Sequence, residues 1–202
     1  MRKLLLLITP VVSLSLFAEG TAKDSTPSGD PLKCSYRHVS LGYSAGDHGY
    51  SAGTVDASVA LGRVPYLFFQ GTFAGKDDYS TSDNYLGLGI GFRINTGKVT
   101  ALDIDLGYAL EKADGYPDNH MAFLGLGFRA AASNRLTIVT RARYFYSNIT
   151  VYQNGIYANR FAELSIIPSF YINKNLSVDL NLTKYIYEFN DFRYGLSASY
   201  HF

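Results

Sequence analysis

The chain has 202 residues, a length that suits one domain, with 18 basic and 17 acidic residues and a formal charge of +1. That balance lacks the basic excess of a nucleic-acid-binding protein. A single cysteine, Cys34, excludes an intramolecular disulfide and a cysteine-rich zinc site.

Residues 1–22, MRKLLLLITPVVSLSLFAEGTA, read as a secretory signal peptide. Arg2 and Lys3 form the basic start, Leu4 to Phe17 the apolar run, and Ala18 and Ala22 are candidate positions before the cut. Gly20 two positions before Ala22 favours cleavage after Ala22, which leaves a formally neutral mature chain. Residues 23–33 are rich in Ser, Pro, Gly and Asp and read as a flexible periplasmic lead-in. No later segment has the length and apolarity of a membrane helix, so a membrane would have to be crossed by strands.

From residue 34 to 202 the dominant signal is alternation with period two, the mark of a strand with one apolar and one polar face. The expected strands are 34–44, 53–63, 66–74, 84–94, 99–110, 120–131, 135–147, 158–172, 176–187 and 192–202. In the fourth, Leu86, Leu88, Ile90 and Phe92 alternate with Gly87, Gly89 and Gly91. In the fifth, Leu102, Ile104, Leu106 and Tyr108 alternate with Asp103, Asp105 and Gly107. The last alternates Phe192, Tyr194, Leu196, Ala198, Tyr200 and Phe202 with Arg193, Gly195, Ser197, Ser199 and His201. The first and third strands alternate least regularly, which keeps eight strands as the alternative to ten. Short turns (GRVPY, INTGK, AASNR, NKN) take turns with longer polar stretches (SAGDHGYSA, GKDDYSTSDN, EKADGYPDN, SNITVYQNGIYAN), although the last connection, EFND, is short. Short turns on one side and long loops on the other are the habit of outer-membrane barrels.

The polar face decides between a membrane barrel and a soluble one. Glycines mixed with Asp and Arg cannot fill a dry apolar core, whereas the dense Leu, Ile, Phe and Tyr face suits lipid. Hydrocarbon leaves no partner for an open sheet edge, so the strands must close. The expected fold is all-β, an antiparallel up-and-down transmembrane β-barrel with both termini on the periplasmic side.

The alternating final strand, with Tyr194, Leu196, Ala198, Tyr200 and Phe202, resembles that of Gram-negative outer-membrane barrels. Over roughly 34–202 the chain is similar to the small-barrel class of OmpX-type and opacity-type proteins. The resemblance implies an outer-membrane location and that Tyr194, Leu196, Tyr200 and Phe202 serve as the signal read by the barrel-assembly machinery. It also implies outer-membrane lipid and lipopolysaccharide as surroundings, and an extracellular ligand or host surface as a partner. The chain lacks Trp, so its 17 Tyr and 13 Phe would supply the aromatic belt.

The inward-facing charges are expected to be Asp56, Asp103, Asp105, Glu163 and Asp179 with Arg93, Arg129, Arg141, Arg143 and Arg193. Buried charges persist when paired, so this balanced set reads as a salt-bridged plug across the lumen. Arg141 and Arg143, two apart on one strand, need acidic partners, and Asp103, Asp105, Glu163 and Asp179 are the available inward carboxylates. The GLGIG stretch lacks the strand–turn–helix setting of a phosphate loop and reads as room for bulky neighbours. His38 with Ser40, and the loop groups Asp47–His48, Asp77–Asp78 and Asp118 with His120, have hydrolase residue types without a complete site. Asn148-Ile149-Thr150 matches a glycosylation triplet, which carries little weight in a bacterial chain. No catalytic, cofactor or metal residue is assigned. The expected function is an integral outer-membrane barrel with a plugged lumen and a structural or surface-interaction role, with loop tyrosines (Tyr50, Tyr79, Tyr116, Tyr152, Tyr157) suited to contact. The alternatives are a narrow porin-like channel and a lipid-modifying hydrolase.

Overall fold

In a computed structural model of the chain, the described residues are 38–62, 64–74, 83–97, 99–113, 118–153, 156–186 and 192–202, with the pairs 16–17 and 34–35. The expected signal peptide and lead-in fall almost wholly outside them. Ten strands form one closed antiparallel barrel: β1 (His38–Gly46), β2 (Ser51–Ala60), β3 (Pro65–Ala74), β4 (Asp83–Asn95), β5 (Thr100–Ala113), β6 (Asn119–Ser133), β7 (Leu136–Gln153), β8 (Ile156–Asn173), β9 (Leu176–Ile186) and β10 (Phe192–His201). Each pairs with its sequence neighbour, and β10 closes on β1 from Arg193 opposite Gly46 to His201 opposite His38. This ten-stranded closure removes the eight-stranded alternative.

Alternation is the reason these segments are strands. Along β6, buried and exposed positions alternate without a break from Asn119 to Arg129. Leu88, Leu106, Leu124, Leu126, Ile166, Phe170, Leu196 and Tyr200 project outward and are exposed, an apolar belt that water would not tolerate. Asp103, Asp105, Arg129, Arg141, Arg143 and Glu163 lie on the opposite parity and are buried. The apolar side chains therefore cover the outside of the wall and the charged ones fill its centre, the arrangement a lipid solvent requires.

Three boundaries differ from the sequence expectation. The first strand begins at His38, while Cys34–Ser35 instead pairs with Leu16–Phe17. The stretch expected as a long first loop is a tight connection, a single 3-10 turn over Asp47–Gly49 in which Gly49 takes a positive φ of 74° that suits glycine. β7 and β8 also run on into SNITVYQNGIYAN, where Val151, Tyr152 and Gln153 pair with Ala158, Tyr157 and Ile156 beyond an irregularity near Ala158–Arg160. β-branched and aromatic residues there favour the ladder over a coil.

Candidate functional site

The lumen is organised by rows of residues that stand opposite one another from strand to strand. One row runs Tyr66, Gly91, Asp105, Gly125, Arg143, Glu163 and Tyr185 across β3 to β9. The next runs Phe68, Gly89, Gly107, Phe123, Phe145 and Phe161 across β3 to β8. Glycines sit between large residues in both. A Cβ at Gly91 would overlap the Tyr66 ring, and one at Gly107 would overlap the Phe123 ring. The glycines of GLGIG thus hollow the wall so that side chains from neighbouring strands can lie across it.

The bare backbone lets the rings meet. Phe68 and Phe123 come within 6.0 Å between centroids although β4 and β5 separate their strands. Phe123 meets Phe145 at 5.1 Å, and Phe145 stacks on Phe161 at 4.6 Å and 5°. Such contacts add modestly to the burial of the rings themselves.

The same device serves the charges. Gly125 lies between Asp105 and Arg143 in their row, and Gly127 lies between Asp103 and Arg141. Asp105 holds Arg143 at 3.2 Å and Arg141 at 3.5 Å, and receives the Tyr66 hydroxyl at 2.6 Å. Asp103 holds Arg93 and Arg129, each at 3.1 Å. Arg143 also donates to Gln70 Oε1 at 3.1 Å, and its guanidinium lies 5.1 Å from the Phe123 ring centroid. Four arginines and two aspartates therefore form a network of two triads, Arg93–Asp103–Arg129 and Arg141–Asp105–Arg143, the second of which meets the aromatic row.

The remaining expected lumen residues are buried but outside that network. Asp56 accepts from His38 Nε2 at 2.9 Å. Asp179 accepts hydroxyl protons from Ser199, Ser177 and Ser197 at 2.9, 3.3 and 3.4 Å. Glu163 stands opposite Arg143 in register, yet its carboxylate forms no ion pair among the described residues and receives only the Ser165 hydroxyl at 3.4 Å. Of the four carboxylates available to Arg141 and Arg143, Asp105 holds both, with Gly125 and Gly127 opening the path on the β5–β6 side. Arg193 lies between two rings, 4.0 Å from the Tyr50 centroid and 4.7 Å from that of Tyr185.

Sequence reasoning missed the inner aromatics Phe145 and Phe161, which parity carried on from Arg143 and Glu163 would have found. It also missed Glu111, which continues the parity of Asp105 and accepts from Asn119 Nδ2 at 2.8 Å. Tyr50, expected at the surface, is buried over Arg193 because the tight turn folds it inward. Tyr79 and Tyr116 lie outside the described residues, as do the side chains of Tyr152 and Tyr157. Tyr194, Leu196, Tyr200 and Phe202 all project outward and are exposed.

The hydrolase candidates separate. His38 Nδ1 meets the hydroxyl of Ser58, not Ser40, at 2.9 Å, and its Nε2 meets Asp56. These residue types suit an activated serine, but His38 is 0% and Ser58 2% exposed, on the side of the wall away from lipid. Asp47 accepts from the Phe192 backbone N–H at 3.0 Å, Asp118 pairs with Lys112 at 3.2 Å, and His120 meets the Tyr108 hydroxyl. Asp77 and Asp78 lie outside the described residues. Among the described residues no cluster of His, Cys, Asp or Glu has the makings of a metal site.

Solved structures share this architecture. The NanC porin superposes with a TM-score of 0.51 at 10% identity, covering 82% of this chain and 100% of that one. This chain is a β-barrel of the outer-membrane type. The KdgM porin in complex with disordered oligogalacturonate matches with a TM-score of 0.49 at 14% identity, over 82% of this chain and 99% of its own. A loop-deleted OmpT, an outer-membrane protein of Vibrio cholerae, matches with a TM-score of 0.41 at 12% identity, over 94% and 70%. At these identities the likeness concerns the fold. No protein-family model matches the sequence, and no curated protein does. Fold, apolar belt and closed edge together place the barrel in the bacterial outer membrane.

Proposed function

We propose that this barrel is solid-cored, with a structural or surface-interaction role rather than bulk solute transport. The observation that carries the reading is the filling of the lumen by the protein's own side chains. Tyr66, Tyr85, Met121, Arg129, Phe145, Arg143, Phe161 and Tyr185 are its largest fully buried residues. Stacked rings and doubly bridged aspartates crossing the same space leave little room for hydrated ions. Lipopolysaccharide, the barrel-assembly machinery acting on Tyr194, Leu196, Tyr200 and Phe202, and an extracellular ligand or host surface are the partners this role calls for. The test is electrical. Purified barrel inserted into planar bilayers is expected to show no steady current, and large constant conductance would overturn the reading.

A narrow channel is the second reading, favoured by the opposite wall. On β9, β10, β1 and β2 many inner positions between the strand ends are short, with Ser177, Asp179, Ser197, Ser199, Ser40 and Thr54 among them, and Thr54 and Ser197 are only partly buried. Small, brief current steps that disappear when Ser197 is replaced by Phe would support this passage.

A further inference from the structure

Two inner rows cross the wall from β9 to β2. One runs Asp179, Ser197, Gly42 and Thr54, and the other Ser177, Ser199, Ser40 and Asp56. A carboxylate stands at each of two opposite corners, with hydroxyls between them. At Gly42 a Cβ would come within 2.7 Å of both Thr54 Oγ1 and Ser197 Cβ. The bare backbone of β1 therefore lets these two side chains, from the strands on either side, approach each other across it.

The charge of this wall is not matched by guanidinium. Asp103 and Asp105, on the opposite wall, hold Arg93, Arg129, Arg141 and Arg143. Among the described residues Asp56 has the His38 ring as its basic partner, and Asp179 has serine hydroxyls alone. Space remains beside these groups. Thr54 and Ser197 face the centre and are only partly buried, and the Asp56 side chain keeps 7% of its exposure. Ser44, one inner step along β1 from Gly42, is 3% exposed, and its hydroxyl has no hydrogen-bond partner. A buried hydroxyl of that kind is costly unless something polar in the adjoining space meets it.

We propose that Thr54, Ser197 and Asp56 bind one small monovalent cation inside the barrel, against the bare backbone of Gly42. A serine that donates its proton to a carboxylate keeps its oxygen lone pairs for a cation, and Ser197 donates to Asp179 at 3.4 Å. Asp179 thus adds its charge from behind Ser197 without touching the ion, and Ser44 supplies a further hydroxyl oxygen nearby. Oxygen donors of this kind suit hard cations. One carboxylate in contact with the ion, among neutral hydroxyls, balances a single charge, whereas calcium sites draw on several carboxylates. The donor set also differs from a metal cluster of three or more His, Cys, Asp or Glu, which the described residues do not provide. The site can fill from one end of the lumen and is independent of whether the barrel conducts.

The test uses the full-length barrel in neutral detergent, with sodium chloride as the probe and choline chloride holding the ionic strength constant. The temperature at which the folded gel band is lost reports stability, and the sodium-23 NMR linewidth reports binding directly. In wild type the midpoint is expected to rise by a few degrees as sodium replaces choline, and the sodium line to broaden. Thr54→Val with Ser197→Ala should weaken the apparent sodium affinity roughly tenfold, and Asp56→Asn, which keeps both hydroxyls, should do the same. Glu111→Gln, at a lumen carboxylate on the far wall, should respond as wild type does. Unboiled and boiled samples on a gel confirm that each variant is a folded barrel, and Asp56→Asn decides the matter if the double variant does not fold. No broadening by wild type, equal broadening by a folded site variant, or a larger midpoint rise with calcium than with sodium would each overturn the proposal.

Discussion

The hydroxyl of Tyr66 on β3 donates to Asp105 on β5 at 2.6 Å, crossing β4 over the bare backbone of Gly91. The three stand in one row, and a Cβ on the middle residue would enter the tyrosine ring. Gly91→Val is therefore expected to reduce the fraction of chain that folds, since overpacking of this kind costs ~1–3 kcal/mol or more. Adding Tyr66→Ala should restore folding by removing the obstruction. Refolding into detergent, scored by the gel shift of the unboiled barrel, measures both, and normal folding of Gly91→Val alone would refute the crossing.

The two aspartates of the network should not be equal to Asp179. Asp105→Asn leaves Arg141 and Arg143 without the carboxylate that holds both, and is expected to cost about 3–5 kcal/mol. Asp179→Asn removes a carboxylate held by serine hydroxyls, with no guanidinium in contact, and should cost less. Denaturant midpoints of the two variants in one detergent give the ranking. A reversed order would show that the Arg–Asp bridges are not the strong members of the lumen.

Removing both arginines should change conduction. Arg141→Ala with Arg143→Ala opens volume next to Asp105 and leaves that wall more negative. Small steady currents that favour cations are expected where the wild type gives none. Anion preference, or no change in current with the barrel intact, would mean that these side chains do not obstruct the lumen.

Arg193 fastens the first turn. Its guanidinium lies between Tyr50, which follows the Asp47–Gly49 turn, and Tyr185 on β9. Asp47 strengthens the same corner by accepting the Phe192 N–H. Arg193→Leu should cost about 1–2 kcal/mol through loss of the cation–π contacts. It should also speed protease cleavage near residues 47–50, while Arg193→Lys retains part of the protection. Unchanged cleavage in the Leu variant would detach the turn from the lumen.

Parity along the chain makes the sidedness of this barrel legible in the sequence. Once Leu88 is outward, Gly89 must be inward, and the same step assigns Asp103, Asp105, Arg141 and Arg143 to the centre. Partner choice did not follow, because it depends on how far each strand is displaced along its neighbour. That displacement sets Gly125 opposite both Asp105 and Arg143, and so lets one carboxylate take two guanidiniums while Glu163 stays apart. Tyr50 was misplaced for a different reason: a polar stretch reads as a loop, and its composition does not reveal that a three-residue turn will return the chain at once. The lead-in and the acidic loop pairs gave no periodic signal from which to argue.

The seam between β10 and β1 bears on how the protein is made. Every other pair of neighbouring strands is joined by a short piece of chain, so nine hairpins can form locally and early. Residues such as His38 and His201 pair across the longest sequence separation in the sheet. Until they do, two raw edges of hydrogen-bonding backbone face hydrocarbon, where each unmet group is expensive. Closing the seam is thus the pairing with the largest entropic cost and the greatest exposure to wrong pairing. A helper that shelters those two edges would act on the slowest step of assembly, and a mutation at the seam should show itself as poor yield before it shows itself as poor stability.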